Sequence, residues 1–279
     1  MASNFPMKML SNRHTKLSFF EESSSTPVSL VKPMGQGLDD YSGQYKKHKV
    51  LVHDGRKKAD NFTLDTEGFA FMREESGVVD FYDDETVKKK YYPEMEQLLK
   101  EVTGAHKVLI FDHTRRIDDP SSLERLGARP PAAFVHNDFT VDSAIQRVID
   151  LLPETEAANA LEKRFASINV WRPLKEPVET SQLAICEYRT IDNRDLVVSE
   201  RHYSNNRIGK IYNLKYNPNQ KWYFFPQMRC DEIILLKCFD SLTDGTARWT
   251  AHGSFQNPNS KPGSAPRESI EVRSMVFFD

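Results

Sequence analysis

The second half of the chain alternates apolar and polar residues over many short segments, a period that places every second side chain on one face of a β-strand. Turn signals such as Asn217-Pro218 and Thr243-Asp244-Gly245 separate several of these segments. The segments are 165–172, 182–189, 195–201, 210–217, 221–228, 232–241, 247–255 and 268–278. Many short strands at regular spacing predict a β-sandwich or a barrel.

The first half of the chain mixes strands with helices. Strands are predicted at 47–53, 77–82 and 107–112. Apolar residues recur at helical spacing over 84–103, where Pro93 should kink the helix or occupy the first turn of its second half. A further helix capped by Asp142 should follow Thr140, and a short one should span 154–164. The helices are therefore expected to flank the sheets.

Together these elements predict one domain in residues 27–279, mainly β with flanking helices. A jelly roll, or double-stranded β-helix, suits it best, because inward residues of separated strands converge at the mouth of that fold. The polar residues 1–26 are predicted to form a mobile N-terminal arm. The loop 113–131 should lie at the mouth, where its arginines either meet an acidic substrate or form a solvated charged surface. These arginines are Arg115, Arg116, Arg125 and Arg129.

Composition narrows the class of protein. Of the 279 residues, 39% are hydrophobic and 28% are charged, which allows a sizeable core and excludes a disordered chain. The formal net charge of -2 offers no broad basic surface, so a nucleic acid is not an expected partner. Three cysteines without a CxxC pair, no apolar leader and no run of 18 apolar residues favour a cytoplasmic protein without a membrane span. The oligomeric state stays open.

A single His-x-Asp pair, His136 and Asp138, lies between apolar residues just after the arginine-rich loop. Residues two apart on a strand share a face, so an imidazole and a carboxylate can form two corners of a metal site. Such a pair alone is weak evidence, because a core histidine bonded to a nearby aspartate gives the same pattern. A metal site therefore needs further ligands from elsewhere in the chain.

His252 is the best-placed third ligand. The residues on either side of it have the pattern of a strand. Gly253 beside it would allow a close approach of another chain segment. The alternative is a partly buried strand histidine with no metal. Two histidines and one carboxylate bound facially leave coordination positions open, and this set favours non-haem Fe(II) and oxygen chemistry.

Arg267 and Ser269 form the one Arg-x-Ser pair in the chain and share one strand face. A planar guanidinium binds a carboxylate through two hydrogen bonds, and a serine hydroxyl can donate another. The pair is therefore a candidate anchor for an acidic cosubstrate beside His252. The alternative is a surface ladder of ion pairs made by Arg267, Glu271 and Arg273.

Strand 165–172 supplies three candidate substrate-binding residues. Asn169 and Trp171 share one face, whereas Arg172 lies on the other, and one of these faces should line the cavity. Arg172 is a candidate to grip a carboxylate. The alternative makes Trp171 a core residue and Arg172 a packing residue.

The order His-x-Asp, distant His and Arg-x-Ser resembles the signature of Fe(II)/2-oxoglutarate-dependent oxygenases. The stretches Asn169-Val170-Trp171-Arg172-Pro173, Phe239-Asp240-Ser241 and Pro266–Arg273 are similar to those of a fungal family of hydroxylases and desaturases of secondary metabolism. That family is also similar to the small component of the bacterial cephem methoxylase system. The resemblance covers residues 40–279.

The resemblance implies that His136, Asp138 and His252 bind Fe(II) and that 2-oxoglutarate is held by Arg267 and Ser269. It also implies oxidation of a small secondary metabolite or amino-acid-derived substrate by molecular oxygen. Hydroxylation, desaturation and oxidative ring closure, such as aziridine formation, all remain open. Two rival hypotheses are a non-catalytic jelly-roll partner of a tailoring enzyme and a cupin-type metal enzyme that does not use 2-oxoglutarate. The Arg-x-Ser pair discriminates against the second.

Overall fold

The strands form two mostly antiparallel sheets in the computed structural model, which describes residues 12–33, 35–36 and 39–279. The strands within this part of the chain are Arg13–Glu22 (β1), Val28–Val31 (β2), Asp40–Tyr41 (β3), Gln44–Asp54 (β4), Phe69–Arg73 (β5), Lys107–Ile117 (β6), His136–Asn137 (β7), Phe165–Pro173 (β8), Gln182–Cys186 (β9), Leu196–Tyr203 (β10), Ile208–Leu214 (β11), Trp222–Phe224 (β12), Glu232–Asp240 (β13), His252–Phe255 (β14) and Glu268–Phe277 (β15). The larger sheet has the order β1-β4-β12-β9-β14-β7-β11-β10-β2-β3, and the smaller has the order β5-β13-β8-β15-β6. Most of the predicted strands are confirmed.

The main core lies between the two sheets. Ile185 of the larger sheet packs in one cluster with Trp171, Ile234 and Met275 of the smaller sheet. The apolar face of β15, which includes Ile270, is turned away from the larger sheet and packs against the helix Tyr92–Thr103. Ser269 and Glu271, on the other face of β15, are therefore directed toward the larger sheet, where the candidate ligands lie.

Four α-helices flank the sheets in the described part of the chain. They are Asp84–Thr86 (α1), Tyr92–Thr103 (α2), Val141–Leu151 (α3) and Glu154–Leu161 (α4). Pro93 lies in the first turn of α2, after the π-helical turn Val87–Tyr91, as the sequence predicted. Thr140, rather than the predicted Asp142, caps α3, because its hydroxyl accepts the backbone N–H of Ser143. None of the described helices is long and apolar enough to cross a membrane.

The predicted strand at 77–82 is absent from the described structure. Ser76 and Gly77 instead donate hydrogen bonds to the carboxylate of Glu94 in α2, at 2.5 and 3.0 Å. Val78 is buried but Val79 is 98% exposed, so only one residue of the apolar pair that suggested a strand packs in the core. At the start of this segment, the carboxylate of Glu94, in the first turn of α2, replaces the hydrogen bonds that a neighbouring strand would provide.

Strand β6 extends five residues into the predicted loop 113–131. Arg115 and Arg116 are therefore strand residues, and Arg116 lies directly opposite Ser269 of β15. Opposed residues of an antiparallel pair share a face, so Arg116 is directed toward the interior between the sheets. This places a guanidinium beside the candidate cosubstrate anchor.

The predicted mobile arm, residues 1–26, is only partly within the described chain. Residues 1–11 lie outside it, whereas Arg13–Glu22 form β1 and pair along their length with β4. Leu17 and Phe19 have no exposed surface, and their burial gives this segment a packing role in the larger sheet. The segment from Arg13 is thus a strand instead of an arm.

Candidate active site

His136, Asp138 and His252 converge at the centre of the larger sheet. His136 of β7 and His252 of β14 are directly opposed in register, and their ring centroids are 4.9 Å apart. One ligand atom from each of the three side chains lies within 4.8 Å of the others. Gly253 lets the strands approach, because a Cβ there would lie 3.1 Å from the carbonyl oxygen of Phe134. The structure therefore brings together the three ligands that the sequence predicted.

Backbone carbonyls orient both imidazoles. Nδ1 of His136 lies 3.0 Å from the carbonyl oxygen of Phe134, and Nδ1 of His252 lies 3.0 Å from that of Thr250. A carbonyl oxygen only accepts hydrogen bonds, so each Nδ1 carries a proton and Nε2 is the nitrogen of each ring that can bind a metal. Metal-binding histidines use this arrangement to fix their tautomer and ring orientation.

The Asp138 carboxylate is ionised. Burial acts to raise its pKa, but the hydrogen bond and charge of His136, with the charges of His252 and Arg273, hold the pKa well below its usual range. The pKa of His252 is lowered by its burial and by the neighbouring His136. A neutral imidazole and an anionic carboxylate are the protonation states that coordinate a metal. The donor set therefore fits a divalent ion such as Fe(II).

Two outer contacts hold this cluster in place. The Asn169 amide donates to Oδ2 of Asp138 at 2.6 Å and to Oε1 of Glu271 at 2.7 Å. Asn137 lies between the two ligands in sequence, and its amide donates to the carbonyl oxygens of Phe139 and Cys238. These bonds fix the carboxylate and the backbone that carries it.

A cavity of about 280 Å³, here called the triad cavity, opens beside the cluster. It is lined by His136 and His252 and, on the side of the smaller sheet, by Arg116, Trp171, Arg267 and Glu271. The candidate metal ligands His136 and His252 and the arginine of the Arg-x-Ser pair thus border one space. An acid bound there would contact both.

Arg267 is a buried guanidinium without an ion-pair partner among the described residues. Its Nη1 donates to the carbonyl oxygen of Ser181 at 2.6 Å, whereas its buried Nε has no hydrogen-bond partner. Burial and the neighbouring positive charge of Arg116 lower the pKa of Arg267 to about 9. A carboxylate would satisfy the orphaned donor and neutralise the charge, so the site fits an acidic cosubstrate.

Ser269 and Trp171 lie around this guanidinium. Ser269 is buried on β15 and faces the interior with Arg116, its register partner. The Trp171 ring centroid is 5.8 Å from the guanidinium carbon of Arg267, a distance at which a cation and an aromatic ring attract each other. The structure therefore places Trp171 behind the candidate anchor.

Arg172 lies on the opposite face of β8 and does not join these residues. Its Nε donates to the hydroxyl of Tyr91 at 2.9 Å, and its Nη1 donates to the carbonyl oxygen of Cys230 at 2.6 Å. Arg172 is therefore a packing residue, which is the alternative that the sequence left open. Sequence reasoning also missed Glu271 as a cavity residue, although its two-residue spacing from Ser269 was the available signal.

Replacing Arg172 with methionine is expected to lower the free energy of unfolding by at least about 2 kcal/mol, because a buried hydroxyl and a buried carbonyl lose their partner. The divalent-metal affinity of the folded protein should not change. Urea unfolding and metal titration measure the two quantities, and Arg194→Met, at a side chain that is 89% exposed, is the matched control. A large loss of metal affinity in folded Arg172→Met would contradict this placement.

Comparisons with known proteins identify the family of this chain. A family model described as "Oxidoreductase/YMDC permease-like domain" matches residues 17–277. The hydroxylase/desaturase efuI of Hormonema carpetanum is 32% identical over 289 residues, which cover 95% of this chain and 95% of that protein. The Fe(II)/2-oxoglutarate-dependent dioxygenase nvfI of Aspergillus novofumigatus is 35% identical over 237 residues, which cover 82% of this chain and 83% of that protein.

A comparison with solved structures identifies the same class of enzyme. The iron and alpha-ketoglutarate-dependent endoperoxidase NvfI superposes with a TM-score of 0.84 at 31% identity, over 96% of this chain and 98% of that chain. The predicted fold is confirmed, since oxygenases of this class have a jelly-roll fold. The chain therefore belongs to the Fe(II)/2-oxoglutarate-dependent oxygenases, enzymes that oxidise a small molecule with molecular oxygen, and its cofactors are Fe(II) and 2-oxoglutarate.

Proposed function

We propose that His136, Asp138 and His252 hold the Fe(II) and that Arg267, with Ser269, anchors the distal carboxylate of 2-oxoglutarate. One observation carries the proposal: three preoriented ligands and a buried guanidinium with an orphaned donor border the same cavity. In this arrangement an acid can reach the metal with one end and Arg267 with the other. The alternative of an ion-pair ladder at Arg267 finds no support, since the ion pairs of the described residues do not include it.

The chain contributes orientation and electrostatics. Both imidazoles are fixed by backbone carbonyls, and Asn169 fixes the carboxylate, so little reorganisation is needed when the metal binds. The burial of Arg267 strengthens its attraction to a carboxylate, because water competes weakly there. Bound Fe(II) and 2-oxoglutarate supply the oxidising chemistry, and the surrounding walls exclude water and stray reductants from it.

We infer that the substrate is a small secondary metabolite. Relatives are named as hydroxylase/desaturases, and the solved neighbour is an endoperoxidase. Hydroxylation, desaturation and oxidative ring closure each begin with the loss of a hydrogen atom from the substrate. The same ligand geometry serves all three outcomes, and the position of the bound substrate decides among them.

Succinate release tests this function. Purified protein with Fe(II), 2-oxoglutarate and oxygen is expected to form succinate, and a substrate from a panel of small metabolites should accelerate it. Omitting Fe(II) or adding a chelator should stop the reaction. Oxidation of a panel substrate in the absence of 2-oxoglutarate would instead favour a cupin-type enzyme. Neither succinate nor oxidised substrate from folded, iron-loaded protein with the whole panel would favour a non-catalytic binding partner.

Replacing Asn169 with alanine is expected to weaken Fe(II) affinity by about 10–100-fold, because the carboxylate of Asp138 loses the donor that orients it. Metal titration in the absence of oxygen measures the change. Asn219→Ala, in an exposed turn, is the matched control. Wild-type iron affinity in folded Asn169→Ala would show that this hydrogen bond does not position the ligand.

A further inference from the structure

A second cavity, here called the arginine cavity, adjoins the triad cavity. It is open to solvent and is bordered by Arg116, Arg129, Arg201, Phe134 and Tyr45. The metal ligand His136 and the cavity residue Arg116 belong to both this cavity and the triad cavity. A molecule in the arginine cavity would therefore lie against the metal site.

The charge of the arginine cavity is unbalanced. Three arginines face one carboxylate, Asp39, whose two oxygens accept from Arg129 and Arg201, both at 3.0 Å. Arg116 donates to the carbonyl oxygen of Pro130 at 2.8 Å and has no ion-pair partner among the residues that the structure describes. Of these three arginines, only Arg116 also lines the triad cavity, so its charge is available to a ligand beside the proposed metal site.

An aromatic wall lies beside this charge. The rings of Tyr45 and Phe134 stack with centroids 4.0 Å apart, and Tyr41 meets Phe134 edge-on at 4.3 Å. The Tyr45 hydroxyl accepts a hydrogen bond from Asn213, which fixes that ring. Fixed aromatic faces bind the flat or alicyclic body of a small molecule.

A third cavity, of about 1210 Å³, borders Asp138 but has a different character. Five acidic and five basic side chains line it, so its charge is balanced. Its wall includes the exposed residues Asp142 and Ile208, which indicates an open approach from solvent. The arginine cavity differs from it in two ways: its arginines outnumber its carboxylates, and its unpaired cation Arg116 also lines the triad cavity.

We propose that the arginine cavity binds the substrate and selects a molecule with a carboxylate next to an aromatic or alicyclic body, Arg116 being its counter-charge. The inference rests on the proposed function, because it places that substrate against His136. A carboxylate bound by a partly buried guanidinium gains charge-assisted hydrogen bonds that an isosteric amide cannot match. The matched amide is therefore the sharpest comparison.

Calorimetric titration with matched probes tests the proposal. The probes are 3-phenylpropanoate and cyclohexanecarboxylate, each compared with its amide, on metal-free protein and on anaerobic protein with Fe(II) and 2-oxoglutarate. We expect each acid to bind wild-type protein about 10–100-fold more tightly than its amide. Arg116→Gln should remove the preference, Arg116→Lys should retain part of it, and Arg207→Gln in the third cavity should leave it unchanged.

Equal binding of acid and amide to wild-type protein would overturn the proposal, as would a preference that survives in Arg116→Gln. An increased 2-oxoglutarate requirement with an unchanged acid preference would also overturn it, since Arg116 would then serve the cosubstrate alone. The visible absorption of the Fe(II) and 2-oxoglutarate complex, recorded before any probe is added, reports separately on the proposed function. Its absence would count against that function, whereas the metal-free titrations would still decide the role of Arg116.

Discussion

Replacing His252 with alanine is expected to abolish Fe(II) binding, with an affinity loss greater than about a hundredfold. Loss of an outer-shell partner costs about 10–100-fold, and loss of a ligand should exceed it. The variant also leaves His136 without its opposed imidazole, 4.9 Å away, so only two of the three donors remain. Anaerobic titration with Fe(II) gives the stoichiometry and the affinity directly.

His106→Ala is the matched control for this change. His106 is 44% exposed and lies beside Asp279 at the surface, away from the three ligands. It should bind one equivalent of Fe(II) with wild-type affinity. One equivalent at wild-type affinity in His252→Ala itself would show that His252 is not a ligand.

Replacing Arg267 with alanine is expected to raise the 2-oxoglutarate concentration needed for half-maximal succinate release by about a hundredfold, within the range of about 2–5 kcal/mol for truncating one partner of a buried charged pair. Iron affinity should change much less, because no described contact links Arg267 to the three ligands. Titration of succinate release against 2-oxoglutarate and metal titration separate the two effects.

Two controls bracket this prediction. Arg267→Lys keeps a positive charge but loses the planar fork, so its requirement should lie between wild type and Arg267→Ala. Arg194→Ala removes an arginine that is 89% exposed and should have no effect. Unchanged cosubstrate dependence in folded Arg267→Ala would refute the anchor.

Periodicity predicted the helices and most of the strands because each of them buries one regular face. The predicted strand at 77–82 failed for the opposite reason, since Val78 is buried but Val79 is exposed and the segment bonds to Glu94. The extent of β6 was also hidden, because Arg116 faces inward between the sheets and Arg115, on the other face, is buried against Asp84 of α1. A charged inward face resembles a solvated loop in the sequence alone.

The candidate ligands were predictable because chemistry limits the choice. Few histidines lie on strands with a carboxylate two residues away, and the Arg-x-Ser pair occurs once. The role of Asn169 was not predictable, because its contact with Asp138 joins β8 of the smaller sheet to the residue that follows β7 of the larger sheet. The sequence defined two faces of β8, and only the packing of the sheets shows that Trp171 faces the cavity while Arg172 packs against Tyr91.

The most direct test is a structure of the protein crystallised without oxygen, with Fe(II) and 2-oxoglutarate, and with anomalous data collected at the iron edge. We expect one iron peak bonded to Nε2 of His136, Nε2 of His252 and the carboxylate of Asp138, with a 2-oxoglutarate carboxylate against Arg267 and Ser269. An iron peak away from these three side chains, or a 2-oxoglutarate molecule that does not contact Arg267, would contradict the proposed site.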